Sequence, residues 1–226
     1  STGYLRPLKN GTATISATVE GNSSQKRQVT VTGHDSVVPV GFVNEIVPLF
    51  TRHGCNGGSC HGKVGGQNSF RLSLMGFEPE KDRGYLREGL GRRIFRAAPS
   101  HSLLVLKGSG QLPHEGGSRL TPNGDDYQTL IRWIGQLGSR TKPAQEEPEV
   151  ERIVVMPSER ITLAEASQQL RVTAHMSDGS SRDITRAALY ESNDESMAEV
   201  DLLGLVTLKN KSGTASVMVR FREEMT

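Results

Sequence analysis

Short runs of alternating apolar and polar residues lie near both ends of the chain, whereas the middle shows the spacing of helices. The runs near the C-terminus cover residues 152–156, 170–174 and 216–221, and turn signals such as Ser177-Asp178-Gly179 separate them. Short strands at regular spacing, bounded by turns, are typical of an all-β sandwich. The pattern therefore predicts a β-sandwich after about residue 150.

An internal repeat links the two ends of the chain. Residues 3–15 read GYLRPLKNGTATI, and residues 204–217 read GLVTLKNKSGTASV. This pattern resembles the group-2 bacterial immunoglobulin-like (Ig-like) domains. The resemblance implies the C-terminal half of one Ig-like domain at 1–36 and a second Ig-like domain at 150–226, with a polar, Pro-containing linker at 141–149.

The two repeats end differently. The first continues into a strand pattern at 28–32, whereas the second stops at Thr226 before any equivalent run. We therefore expect the ends of the chain to cut through two Ig-like domains, and the second to lack its last strand. Because an incomplete sandwich exposes an unpaired edge, we predict strand addition within the chain or in a strand-exchanged homodimer.

Two stretches in the middle of the chain have helical spacing. Apolar residues recur at 42, 46 and 50 and at 43 and 47, which predicts a helix that ends just before Cys55. Pro48 must lie in its first turn or kink it. A second helix is predicted from an Asn123 cap to about Leu137, with Asp125 and Asp126 in its positively polarised first turn.

Both cysteines lie in the segment GCNGGSCHG, residues 54–62. A histidine directly after the second cysteine is the mark of c-type haem attachment, in which two thiols form thioethers with the haem and the imidazole binds the iron. The order predicts Cys55 and Cys60 as attachment residues and His61 as the proximal ligand. Because the spacing is longer than usual, Gly57 and Gly58 are expected to supply the backbone angles that accommodate it.

Two other interpretations of this segment remain. The cysteines could form a small disulfide loop. They could also be half of a zinc site, although no second Cys/His pair has suitable spacing.

Three residues between the predicted helices are candidates for a sixth iron ligand. Met75 lies in an apolar, alternating stretch, where methionine more often fills a core. His101 reads as the exposed first turn of a short helix. His114 lies in the loop LPHEGGSRL, residues 112–120, where a proline and two glycines define the backbone direction. We expect His114 to be the sixth ligand, with Met75, His101 or an open position as alternatives.

Five segments resemble, in order, the planctomycete-type cytochrome c domains of large exported proteins. They are GCNGGSCHG (54–62), SFRLSLMGFEP (69–79), GRRIFRAAPSHSLLVLK (91–107), LPHEGGSRL (112–120) and YQTLIRWI (127–134). The resemblance covers about Val37 to Gly138. It implies a mainly α-helical, cytochrome c-like domain at 37–140 with one covalent haem c, joined to the Ig-like β-sandwich segments.

The same resemblance implies roles for further residues. Related domains often have a methionine at the position of His114, so the resemblance implies bis-histidine ligation in this chain. Arg-bearing segments of such domains can face the haem propionates, which makes Arg119 and Arg71 candidates for binding those carboxylates. The alternative for each is a solvated surface arginine.

Composition narrows the classes of function. The chain has 226 residues, and 27 Lys and Arg against 25 Asp and Glu give a net charge of +2, without the basic excess of a general nucleic-acid binder. No apolar run approaches the roughly 18 residues of a membrane span. Asp, Glu and Ser residues form no convincing hydrolase constellation.

These observations together predict a single-electron carrier rather than an enzyme, with its redox partner unknown. Haem attachment to Cys-His motifs occurs outside the cytoplasm, so we expect the periplasm or the cell surface. A five-coordinate haem would instead suit a gas sensor or a peroxidase-like enzyme. A third class is a haem-free structural or adhesive module.

Overall fold

The computed structural model describes residues 5–19, 22–23, 25–88, 91–137 and 147–226. The start of the first repeat and most of the predicted linker, at 141–146, lie outside the described residues. The chain forms two compact units, one at 1–38 and one at 39–226. The predicted domain bounds within the second unit stay predictions.

The first unit is built on antiparallel hairpin strands. Strand β1 (Gly11–Ile15) pairs with β4 (Arg27–Val31), and β2 (Thr18–Val19) pairs with β3 (Asn22–Ser23). The Thr12 and Thr30 hydroxyls lie 3.1 Å apart across the β1–β4 pair. The assignment of this hairpin to half of an Ig-like domain stays a prediction.

Short helices joined by long loops make up the first part of the second unit. Loops and turns cover 53–73 and 109–124, so the expectation of a mainly α-helical domain is not supported. The physical reason is the density of Gly, Ser and Asn in these stretches, because such residues favour turns over helices. The elements are a π-helical turn (Phe42–Ile46), α1 (Val47–Arg52), a 3-10 turn (Leu74–Gly76), α2 (Pro79–Arg87), a 3-10 turn (Pro99–His101), α3 (Leu103–Gly108) and α4 (Asp125–Gln136).

The two helices predicted from periodicity are present with altered starts. Pro48 lies in the first turn of α1, where its missing N–H removes no helical hydrogen bond. Helix α4 begins after Gly124 rather than Asn123, because Asn123 adopts a left-handed φ of 63°. The first turn of α4 still carries Asp125 and Asp126.

One hydrophobic core holds these helices together. The rings of Phe42 and Trp133 stack with centroids 5.3 Å apart, which joins the π-helical turn before α1 to α4. Ile46, Leu86 and Ile134 are fully buried beside them. Amphipathic faces that are too short to be stable alone are stabilised by this packing.

The C-terminal part of the second unit consists of antiparallel sheets. Their strand orders are β5-β7-β8, β13-β12-β9 and β10-β11-β6. Alternate residues of β7, namely Val172, Ala174 and Met176, are buried in a second core, as the alternating sequence pattern predicted. The strands are β5 (Val150–Met156), β6 (Ser167–Gln169), β7 (Arg171–Met176), β8 (Ser181–Asp183), β9 (Leu189–Ser192), β10 (Ala198–Val200), β11 (Leu205–Leu208), β12 (Val217–Phe221) and β13 (Glu224–Met225).

The last strand differs from the sequence-based expectation. Strand β13 turns back onto β12, and the amides of Val219 and Thr226 each donate to the carbonyl of the other residue. The segment after the last predicted strand pattern, residues 216–221, therefore forms a further short strand that pairs with β12. The absence of a final sandwich strand stays a prediction.

A buried tyrosine hydroxyl provides a test of the β core. Tyr190 donates a hydrogen bond of 2.6 Å to the Thr185 carbonyl. Tyr190→Phe removes the donor and leaves a buried acceptor, so it should lower the free energy of unfolding by about 1–2 kcal/mol in urea titrations. The matched control is Tyr85→Phe. The contact of Tyr85 with Arg71 is made by its ring, which phenylalanine keeps, so this variant should lose little stability. An equal loss in both variants would contradict this assignment.

Candidate functional site

Backbone hydrogen bonds fold the cysteine segment back onto the end of α1. Gly54 turns the chain with a φ of +71°, and the Cys55 amide donates to the Phe50 carbonyl at 2.8 Å. The His61 amide donates to the Cys55 carbonyl at 3.0 Å and closes the loop. The first cysteine and the histidine are therefore linked through the backbone.

The glycines of this loop do not act as the sequence suggested. Gly57 and Gly58 do not adopt positive φ, so the prediction that they supply special backbone angles is wrong. The positive φ belongs to Gly54, and the tight packing belongs to Gly62. A Cβ at Gly62 would overlap the backbone of Asn56 and Gly57. The added residues of the motif are accommodated by close backbone approach at Gly62.

Both cysteines face a cavity as free thiols. Burial raises the pKa of Cys55 to about 12, which keeps its thiol protonated at neutral pH. No disulfide joins the two residues in this structure. Among the described residues, no group of three or more His, Cys, Asp or Glu side chains could hold a metal ion.

The cavity has a volume of about 1100 Å³ and an apolar floor. Ordinary small-molecule pockets measure roughly 300–1,000 Å³, so this space is large enough for a sizeable organic group. His61 and His114 line it together with the cysteines. The apolar lining includes Leu49, Phe50, Leu72, Leu104, Leu120 and Leu130.

A backbone carbonyl orients the His61 ring. The Nδ1 atom lies 2.9 Å from the Phe70 carbonyl, which can only accept, so Nδ1 carries the proton. This leaves Nε2 with a free lone pair, the usual state of a ligating histidine. Burial lowers the pKa of His61, which favours the neutral ring that a metal requires.

His114 is held in the same way on the other side of the cavity. Its Nδ1 lies 3.0 Å from the Gly117 carbonyl, which again leaves Nε2 without a proton. The rings of His61 and His114 have centroids 6.2 Å apart and planes within 6° of parallel. Two imidazoles that bind one metal through nitrogen, each at about 2 Å, have centroids about 6 Å apart. The separation of the centroids is compatible with one metal between the rings, and both residues line the same cavity.

Gly116 provides space for the His114 ring. A Cβ at this position would lie 2.9 Å from the Cε1 atom of His114, closer than real Cβ contacts. The glycine thus forms a cradle that a larger residue would fill. Its effect on the ring makes Gly116 a residue of the site that the sequence did not single out.

The other ligand candidates do not line the cavity. Met75 lies in the 3-10 turn with a φ of 52°, and its carbonyl faces the Thr51 hydroxyl. His101 is exposed, and its Nδ1 lies 3.4 Å from the Ser100 hydroxyl. Of the three candidates, the structure brings His114 together with His61.

The two predicted arginines have different surroundings. Arg119 lines the cavity. Arg71 instead stacks its guanidinium over the Tyr85 ring at 4.2 Å and does not line it. The alternating pattern around Arg71 could not predict this contact, because the Tyr85 ring belongs to a separate element, α2.

Further basic residues of the cavity were missed by the sequence analysis. Arg92, Arg93 and Lys107 line it, and Arg93 lies over the Phe70 ring at 4.9 Å. Arg93 also donates to the Tyr85 carbonyl at 2.8 Å, which restricts its side chain. The adjacent arginines in GRRIF were the available signal.

Comparisons with known proteins bear on the C-terminal segment. Residues 149–219 match the bacterial Ig-like domain (group 2), which confirms the Ig-like prediction there. This match does not extend to the cavity. No curated protein matches the chain. Among the described residues, no helix has the length and apolar character needed to cross a membrane.

The close packing at Gly62 leads to a prediction for the cysteine loop. Gly62→Ala should lower the thermal midpoint of the haem-free protein by several degrees, because the new Cβ overlaps backbone atoms that cannot move independently. Gly58→Ala is the matched control, since its Cβ would meet only Leu74 at 3.8 Å. Equal midpoints in the two variants, measured by circular dichroism, would contradict the proposed packing.

Proposed function

We propose that the chain is a c-type cytochrome that carries one covalently attached haem c and transfers single electrons. The observation that carries the proposal is the pair of parallel imidazoles, with centroids 6.2 Å apart, beside a cavity that both cysteines line. The C-x4-C-H order of the motif supports it independently.

Four residues would hold the haem. Cys55 and Cys60 would form the thioethers, and His61 would be the proximal ligand. His114 would be the sixth ligand, which gives bis-histidine ligation. When bound, the haem iron supplies a one-electron ferric–ferrous couple whose potential depends on axial ligands, hydrogen bonds and burial.

The chain's own residues would tune this couple. The Phe70 and Gly117 carbonyls accept from the Nδ1 atoms and so keep both rings in the ligating tautomer. Such outer hydrogen bonds also raise the basicity of the ligand nitrogen. Buried leucines exclude water from the floor of the cavity. With His61 and His114 both bound to the iron, no position would be left for a substrate, which would suit electron transfer.

Basic residues at the cavity would bind the two haem propionates. Arg93 and Arg119 are the residues we assign, with Lys107 nearby. A guanidinium binds a carboxylate through two parallel hydrogen bonds, which makes arginine well suited to this role. Arg71 does not line the cavity, so nothing in this geometry supports its predicted contact with a propionate.

The Ig-like segment supports export of the chain. Haem attachment to such motifs takes place outside the cytoplasm, and bacterial Ig-like domains typically belong to extracellular or surface proteins. We therefore propose the periplasm or the cell surface as the location. The strand-exchanged homodimer remains a prediction for light scattering.

A haem-free structural module is the second candidate, and the Ig-like match at 149–219 favours it. The two functions differ in whether haem stays with the polypeptide. We expect protein co-expressed with haem-maturation machinery to keep its colour through acid-acetone extraction. Replacing Cys55 and Cys60 together by alanine should abolish this retention, whereas Ser59→Ala in the same loop should not. A colourless wild-type chain would favour the structural module.

The sixth ligand is tested by the spectrum of the ferric protein. We expect a low-spin wild type and a high-spin His114→Ala variant that binds carbon monoxide when reduced, because the sixth position is then open. Gly116→Ala should give a mixture, since its Cβ displaces the His114 ring.

Two variants are controls for this assignment. His101→Ala and Met75→Leu should both keep the wild-type spectrum, because neither residue lines the cavity. A low-spin His114→Ala protein would contradict the assignment, and a changed spectrum in either control would identify the residue that replaces it.

A further inference from the structure

We propose that the C-terminal β module, residues 147–226, positions the helix that leads into the cysteine loop by holding it at both ends. We call residues 42–52 the attachment helix. The β module would then help to determine the geometry of the site, rather than being an independent domain joined to it by a linker. The consequence for the haem rests on the proposed function, whereas the mechanical coupling does not.

The N-terminal end of the attachment helix is capped by the end of the predicted linker, which leads directly into β5 and which we count with the β module. The Glu147 carboxylate accepts hydrogen bonds from the amides of Val43 at 2.9 Å and Asn44 at 2.7 Å. The Asn44 side chain donates to the Pro148 carbonyl at 2.9 Å. First-turn amides have no partner within a helix, and a negative charge is favourable there. Glu147 thus performs, from far along the chain, the role of a local capping residue.

Gly41 makes room for this carboxylate. Its backbone has a φ of −71° and a ψ of 132°, which an alanine adopts without strain. A Cβ at this position would nevertheless overlap the Glu147 carboxylate. An alanine here would therefore disturb the contact with the β module while removing no side chain.

The C-terminal end of the attachment helix is held by Arg52. Its buried guanidinium donates to the Arg186 carbonyl of the β module and to the Asp126 carboxylate at the start of α4. His53 contacts the same carboxylate at 2.7 Å, and the Arg186 side chain lies 3.8 Å from Asp125. The last turn of one helix, the first turn of another and a loop of the β module meet at this point.

The charges at this junction depend on one another. Burial lowers the pKa of Arg52, and Asp126 opposes that shift. Burial alone would raise the pKa of Asp126, but the His53 hydrogen bond and the Arg52 charge lower it below its usual value. Removing one partner of such a pair leaves a desolvated charge, which is strongly destabilising. The junction therefore resists separation of the β module from the helices.

A third contact joins the β module to the 3-10 turn on which the attachment helix packs. Arg222, in the turn between β12 and β13, donates to the Gly76 carbonyl at 3.4 Å. Gly76 packs so closely on Val47 that a Cβ there would overlap the valine side chain. The neighbouring Met75 amide donates to the Asn56 carbonyl, inside the cysteine loop, at 3.1 Å. The β module thus also contacts the turn that supports the helix and the loop.

Movement of the attachment helix would be transmitted to the cavity. Cys55 is hydrogen-bonded to Phe50, and Leu49 and Phe50 of the same helix line the cavity floor. His61 is hydrogen-bonded to Cys55 and is also held by Phe70 and Leu72 outside the helix. A shift of the helix would therefore move Cys55 and load its hydrogen bond to His61.

The coupling is tested first on the haem-free, full-length chain. Trp133, the single tryptophan, reports the helical core by fluorescence, and hydrogen exchange of the Val172 and Ala174 amides reports the β core. Gly41→Ala should lower the folding equilibrium constant by about five- to tenfold, the usual effect of losing a cap, with the same change at both probes. The matched control is Gly84→Ala in α2, whose Cβ would meet open space and which should not lower it.

Three further variants extend the test to both ends of the attachment helix: Arg52→Met at its C-terminal end, and Glu147→Ala and Glu147→Gln at its N-terminal end. Arg52→Met keeps the side-chain length, and Glu147→Gln should partly restore what Glu147→Ala loses, since an amide oxygen still accepts. Each destabilised variant should shift both probes together. A change at Trp133 without a change at the β7 amides, or no change at either, would overturn the coupling.

The haem-loaded chain tests the consequence for the site. Gly41→Ala and Arg52→Met should increase the high-spin fraction of the ferric protein and shift its midpoint potential, whereas Gly84→Ala should change neither. Wild-type values in both variants would overturn a positioning role even if stability fell. A wild-type chain without haem would overturn the proposed function instead, and the two-probe measurement would then decide the coupling alone.

Discussion

Burial of the Arg52 guanidinium constrains how the helices and the β module of the second unit pack together. A charge in this position must be paired, and its partners come from separate parts of the chain: Asp126 in α4 and the Arg186 carbonyl in the β module. Neither partner can move away without leaving a desolvated charge. The helix that carries Arg52 also leads into the cysteine loop, so the same contact fixes where that loop begins.

The cavity depends on a second constraint, the orientation of two imidazoles by backbone carbonyls. Phe70 and Gly117 accept from the Nδ1 atoms of His61 and His114, which leaves both Nε2 atoms free. Backbone carbonyls can only accept, so each neutral ring carries its proton on Nδ1. Gly62 and Gly116 complete the arrangement, because side chains there would displace the cysteine loop and the His114 ring.

Positive charge is concentrated at the cavity although the net charge of the chain is only +2. Arg93 and Arg119 line it with Lys107, while Glu115 is the acidic residue among its lining. The even balance of charge over the whole sequence conceals this local excess. Proposals for the propionates therefore rest on the placement of individual residues. Arg93 lines the cavity, whereas Arg71 does not.

The sequence by itself determined the features that depend on neighbouring residues. The contiguous motif of Cys55, Cys60 and His61 and the alternation of the C-terminal strands are local, and the Ig-like prediction is confirmed over 149–219. Tertiary structure alone decided which arginines reach the cavity and which glycines pack too closely for a side chain. It also joined Glu147 and Arg186 to a helix more than a hundred residues earlier. Periodicity describes one element at a time, whereas these contacts arise only when separate elements pack.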